Sequence, residues 1–257
     1  MPRPQSNLVQ SPIADEALGA VSDATTSVMV FGSFARGDAS QDSDIDVLAL
    51  ARRRSRPART GRVNVSVYDE NTLVAMGEHG ALFVLHLRSE GHILRDPGGK
   101  LSQCLDSYRA PSSYEALRAT LRGVANLLDA SESEYSQRWG AYNELAVFLV
   151  RSLLYAHFAE VGHPVFSLRV IKERMRRPDL DVALSLKTGR TPGFVEFGVA
   201  RGLVEEFLGS AARNPFGTAE ALITNSAAEN PSILAFGLRL LGRQEAGLGY
   251  DLWTMAD

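Results

Sequence analysis

The sequence predicts an α/β (α+β) amino-terminal domain followed by an all-α helical bundle domain, and three observations predict it. Runs rich in β-branched residues, alternating apolar with polar in places, fall before residue 96. Beyond Pro111 the apolar residues recur at steps of three and four, the spacing of one helix face. Between the two regions stands Asp96-Pro97-Gly98-Gly99, a strong turn. The expected division is residues 1–105 and residues 106–257.

The elements follow in order. Residues 1–10 read as a loose tail. Ser11-Pro12 opens a short helix, with serine as cap and proline in the first turn, where its missing N–H costs nothing. Ala14, Ala17, Leu18 and Val21 give that helix an apolar side. Thr25 to Phe31 reads as a strand that ends abruptly at Gly32-Ser33, and Ala39 to Ser43 as a polar turn. Asp44 to Leu50 alternates acid with aliphatic and then becomes fully apolar, as a strand with one end in a site does. Val63, Val65 and Val67 alternate with Asn64, Ser66 and Tyr68 in a third strand. Asn71–Gly77 and Ala81–Glu90 read as helices, and His92–Leu94 as a short strand.

In the second region Leu117, Leu121, Val124 and Leu128 form one stripe on a helix spanning Ser113–Asp129. A long helix is expected over Glu132–Val161, stopped by Gly162 and Pro164. Shorter helices follow at Ser167–Arg176, Phe194–Leu208, Pro215–Ser226 and Pro231–Leu241, enough for a packed bundle.

Composition narrows the function classes. The chain of 257 residues is 45% apolar and 22% charged with a formal charge of −3, so bulk charge does not demand a nucleic-acid partner. Cys104 is the single cysteine, which excludes an intramolecular disulfide. The start shows no cleavage-site pattern and no apolar run approaches membrane-spanning length, so the expectation is a cytoplasmic protein with no membrane partner. The five histidines show no zinc-ligand spacing, and there is no Walker loop. Arg52, Arg53, Arg54, Arg56, Arg59 and Arg62 crowd one stretch. They read either as a solvated loop or as a phosphate-attracting lip.

The chemistry sits in Val30-Phe31-Gly32-Ser33-Phe34-Ala35-Arg36-Gly37-Asp38 and Asp42-Ser43-Asp44-Ile45-Asp46-Val47-Leu48. Glycine at the strand end lets backbone approach a ligand closely. The turn beyond it presents N–H groups and the Ser33 hydroxyl to phosphate oxygens, and Arg36 adds a forked cation. Eleven residues after Ser33, Asp44 and Asp46 share one face of a strand, because residues i and i+2 do so. Paired carboxylates are ligands for a hard cation bridging a triphosphate.

This run resembles the signature of the DNA polymerase beta–type nucleotidyltransferase superfamily, in its small bacterial branch of minimal nucleotidyltransferases and antibiotic adenylyltransferases. The resemblance rests on Gly32-Ser33, the spacer and Asp44-x-Asp46, and covers roughly residues 25–70. It implies a mixed sheet with helices packed on it. It implies that Gly32 and Ser33, with Arg36 and Ser43 beside them, bind the nucleotide, and that Asp44 and Asp46 bind Mg²⁺ or Mn²⁺. The family usually carries a third acid on a later strand; here Asn64 stands at that place and joins the expected metal ligands as a neutral oxygen donor. Asp69 is a substitute if the register slips. Glu144 on the long helix is a candidate base, as some antibiotic-modifying members take theirs from the helical domain. Tyr142, Asn143, Glu144 and Arg151 have spacings for one helix face, either facing a site or forming a buried polar seam.

The expected activity is transfer of a nucleoside monophosphate, AMP foremost, from ATP or another nucleoside triphosphate to a hydroxyl on a small molecule, protein or RNA, releasing pyrophosphate. The rival is a non-catalytic module, disabled by Asn64, that binds nucleotide or a partner protein.

Overall fold

The computed structural model describes residues 11–41, 43–53, 58–189 and 191–243. The tail 1–10, Asp42, Arg54, Arg56 and Trp253 lie outside them. The chain forms two compact units, Met1–Ser112 and Ser113–Asp257. No helix among the described residues is long and apolar enough to cross a membrane.

Among the described residues, the first unit is a five-stranded mixed sheet with helices on both faces. Its elements are α1 (Pro12–Gly19), β1 (Thr25–Phe31), α2 (Gly32–Arg36), β2 (Ile45–Ala51), β3 (Ala58–Thr60), β4 (Val63–Tyr68), α3 (Glu70–Glu78), α4 (Leu82–Glu90), β5 (His92–Arg95) and α5 (Lys100–Asp106). The strand order is β3-β4-β2-β1-β5. Strand β1 runs antiparallel to β2 and β5, β2 runs parallel to β4, and β3 runs antiparallel to β4. Period two splits the side chains cleanly. Val28, Val30, Ile45, Val47, Ala49, Val63 and Val65 pack with Ala17 of α1 and Ala35 of α2 on one face. Phe31 and Tyr68, on the other face, pack edge-on and tilted against Phe83 of α4.

Two short elements, β3 and α5, were not expected from the sequence. Strand β3 is exposed at every position, so it has no alternation to read. Helix α5 begins directly after the Asp96–Gly99 turn and is fastened by Asp96, whose carboxylate accepts from the backbone N–H of Leu101 (3.2 Å) and Ser102 (3.0 Å).

Among the described residues, the elements of the second unit are helices: α6 (Glu115–Ala125), α7 (Glu132–Glu160), α8 (Leu168–Met175), α9 (Pro178–Ser185), α10 (Phe194–Leu208), α11 (Ala219–Ser226) and α12 (Pro231–Leu240). The stripe expected on one helix over Ser113–Asp129 is divided, since α6 ends at Ala125 and tightens into a 3-10 turn over Asn126–Leu128. Helix α9 was not expected. Pro178, read as the stop of the preceding helix, opens a new one, with Asp179 and Asp181 in its first turn where the helix dipole favours acids. A capping box of Ser131 and Glu134 starts α7, which kinks at Arg138 (φ −138°, ψ 29°).

Candidate functional site

Sheet topology assembles the motif. Because β1 and β2 are antiparallel, the end of β1 lies beside the start of β2, with Phe31 opposite Asp46. Gly32 follows at φ +75°, a left-handed conformation that side chains rarely adopt. A Cβ there would stand 2.6 Å from Oδ2 of Asp46, so glycine alone lets the turn lie against that carboxylate. The short helix α2 has no side-chain cap at its start, and it closes at Gly37, another residue at φ +75°.

The parallel register of β2 and β4 sets Asp46 beside Asn64, and the antiparallel register of β4 and β3 sets Asn64 beside Arg59. In-register neighbours share a face. Arg59, Asn64 and Asp46 therefore form one row across the sheet, with Asp44 at its margin. Arg59 Nη2 donates to Oδ1 of Asp44 at 2.8 Å. The register also removes Asp69 as a substitute ligand: it lies at the far end of β4, where its side chain caps α3 by accepting from Thr72 N–H at 2.9 Å.

Arg36 is engaged within the turn's own support. Its Nε lies 3.2 Å from both carboxylate oxygens of Asp38, and its Nη1 donates to Glu90 Oε2 at 2.8 Å. Burial opposes charge on Arg36, but the carboxylates of Glu90 and Asp38 outweigh it and raise its pKa. Nε2 of the buried His86 lies 3.1 Å from the same Glu90 oxygen. Burial pushes the Glu90 carboxyl up, and the His86 and Arg36 partners more than offset this, leaving it below the usual carboxylate range. A ring nitrogen of His92 bonds Ala35 O at 2.9 Å, so α2 is pinned from both α4 and β5. The support from His86 and Glu90 escaped the sequence reading, although their i,i+4 spacing was a readable signal.

Ser43 holds the loop before Asp44: its hydroxyl accepts from Ser40 N–H at 2.8 Å. The arginine run divides in space. Arg59 reaches Asp44, while Arg62 pairs with Glu16 (Nη2 to Oε2, 2.8 Å) and stacks over the Phe34 ring. Arg52 lies at the opposite end of β2, about 20 Å from Asp46 at ~3.3 Å per residue, and lines a small pocket with Thr26, Asp69 and Lys100.

In the second unit Tyr142 and Asn143 face the core, where Asn143 Oδ1 accepts from Tyr135 OH at 3.0 Å. Burial raises the Tyr142 phenol to about 12. Glu144 points outward and pairs with the Arg239 guanidinium. Arg151 donates to Tyr155 OH at 3.3 Å. The four residues thus do not share one face; the buried seam is Tyr142 and Asn143 alone. Trp139 is half-buried and lines a surface cavity of about 400 Å³ with Arg138 and Arg239.

The donor set decides what cation fits. Asp44, Asp46 and Asn64 offer only oxygen, which suits a hard divalent ion that keeps positions for phosphate and water. Among the described residues no group of three His, Cys, Asp or Glu side chains is placed to hold a metal. The row thus presents two carboxylates and one neutral oxygen donor, a set whose chemistry fits a hard divalent ion.

Residues 15–79 match the family model of the nucleotidyltransferase domain. The chain is also similar to the nucleotidyltransferase-like protein of Exiguobacterium sibiricum 255-15, at 17% identity over 90% of this chain and 91% of that one, with a TM-score of 0.31. No curated protein matches it. The matched span contains the Gly32-Ser33 turn, both aspartates and Asn64, and in its first unit the chain carries a domain of the nucleotidyltransferase superfamily.

Proposed function

We propose that the protein transfers a nucleoside monophosphate, AMP foremost, from a nucleoside triphosphate to a hydroxyl acceptor and releases pyrophosphate. The observation that carries this reading is the close fit of the Gly32 backbone on the Asp46 carboxylate, in register with Asn64. Backbone N–H groups of the turn and the Ser33 hydroxyl hold phosphate oxygens, an anion site fixed before substrate arrives. Asp44 and Asp46, with Asn64 as a neutral donor, hold Mg²⁺ or Mn²⁺. The ion supplies charge stabilisation at the reacting phosphate when bound. Arg36 acts by holding the turn through Asp38 and Glu90, and Ser43 by fixing the approach to Asp44. Catalysis then comes from positioning for in-line attack. Glu144 is the proposed base, and it must first leave Arg239. A cytoplasmic setting is in keeping with Cys104 as a buried free thiol, raised by burial to about 11 and so kept unreactive.

Asn64 in place of an acid favours a second reading, a nucleotide-binding module without transfer. Incubation with each α-labelled nucleoside triphosphate, Mg²⁺ or Mn²⁺ and fractionated cell extract separates the two. Label in small molecules, protein or RNA, absent with Asp44→Ala/Asp46→Ala, supports transfer and names the acceptor class. Triphosphate binding without label from any nucleotide supports the module.

A further inference from the structure

We infer that Arg59 replaces a second metal ion at this site, binding the phosphates of the triphosphate while a single divalent cation occupies Asp44 and Asp46. The inference rests on the triphosphate-binding reading above.

Placement comes first. Arg59 stands directly across from Asn64, the position that lacks its carboxylate, and its guanidinium reaches Asp44 at 2.8 Å. The row thus sets a cation beside a neutral asparagine and two carboxylates. Charge follows. Two aspartates, a neutral asparagine and one arginine give the row a net charge of about −1, and one divalent ion brings it to about +1. Three carboxylates holding two divalent ions reach that same charge. A second ion added to the present row would face an arginine where it needs an acid.

The guanidinium also has capacity for a ligand. Nη2 donates to Asp44 and Nε donates to Gly61 O at 3.2 Å, while Nη1 makes no hydrogen bond among the described residues. The Arg59 side chain is 63% exposed, so a phosphate can approach it. Its planar fork matches two phosphate oxygens at once. Arg36 and Arg62 are held by Asp38 with Glu90 and by Glu16. A structural purpose explains Arg59 poorly, because an ion pair this exposed contributes little to stability.

The test counts metal and measures affinity separately. The full-length protein is titrated with Mn²⁺ and the non-hydrolysable α,β-methylene analogue of ATP, bound Mn²⁺ being read from the loss of the free-ion resonance signal. Analogue affinity is measured in parallel by calorimetry. Wild type is expected to take up one Mn²⁺ per bound analogue. Arg59→Ala is expected to bind the analogue about tenfold more weakly with an unchanged melting temperature, and Arg59→Lys to recover part of the loss. Arg59→Ala/Asn64→Asp, which removes the cation and restores the acid, is expected to take up two. Two Mn²⁺ per analogue in wild type, or an Arg59→Ala affinity within about twofold of wild type, overturns the inference and leaves the transferase reading standing. No analogue binding by wild type with any divalent ion overturns both.

Discussion

At the scale of single residues, Gly32 sets how closely the turn lies on the Asp46 carboxylate. Its positive φ costs an alanine about 1–2 kcal/mol, and the new Cβ would collide with the carboxylate it now abuts. Gly32→Ala is expected to lower stability by about that amount and to reduce transfer by about a hundredfold, since small misplacements at a reacting centre are that costly. A thermal melt beside the labelling assay checks both. Full transfer by Gly32→Ala would mean that the turn does not need to lie on Asp46. This part of the candidate site was readable from the residues, because the glycine and serine are adjacent in sequence and the paired aspartates lie at and just before the start of one strand. The Arg59 contact with Asp44 was not, because it depends on a three-residue exposed strand with no apolar pattern.

At the scale of elements, Asp96 joins β1 to α5. Its carboxylate accepts from Ser27 Oγ (2.8 Å), Ser102 Oγ (2.9 Å) and two backbone N–H groups of the helix start. Burial pushes its pKa up, but these bonds outweigh burial and hold it below the ordinary value. A depressed folded value means the stabilisation is complete above the unfolded pKa of about 3.9 and is lost as pH falls through the folded one. Asp96→Asn is expected to cost about 1–2 kcal/mol at pH 6, with the gap to wild type closing below about pH 4. Urea unfolding at pH 6, 5, 4 and 3 measures it; a gap constant with pH would assign the effect to shape rather than charge. The same residues looked like a plain turn in the sequence, because an Asp-Pro-Gly-Gly run does not announce which helix it caps. Helix α9 was hidden for a related reason. Pro178 serves one helix as a stop and the next as a first residue, and a single residue does not announce both roles.

At the scale of the whole molecule, each unit has an apolar core among its described residues. Fully buried Val28, Val30, Ile45 and Val47 support the sheet, and Leu149, Val150, Leu154 and Ala200 anchor the helical unit. Removal of divalent ions with EDTA is therefore expected to shift the melting temperature of the nucleotide-free protein by less than about 2 °C. With a triphosphate analogue at about 100 times its Kd, binding adds about 2.7 kcal/mol, a rise of several degrees that EDTA should abolish. Thermal shift with and without chelator reads both effects. A large drop in the nucleotide-free protein would mean that a metal holds the fold together. The two-part architecture was legible because period two gives way to period 3.6 within a short stretch. The role of Glu144 was not legible, since a carboxylate on an exposed helix position looks the same whether it meets a substrate or Arg239.

Strand β1 is bonded along both edges, to β2 on one side and to β5 on the other. His92, at the start of β5, also fastens the turn that follows β1. These partners are made at very different times. A ribosome adds about 5–20 residues per second, so the roughly sixty residues from Ala35 to Arg95 take about 3–12 s to appear. Until β5 is made, the newborn chain carries the signature turn with one edge of β1 uncovered. The last strand to be translated in this unit is thus the one that shuts the sheet, and the site is finished only when the whole unit has left the ribosome.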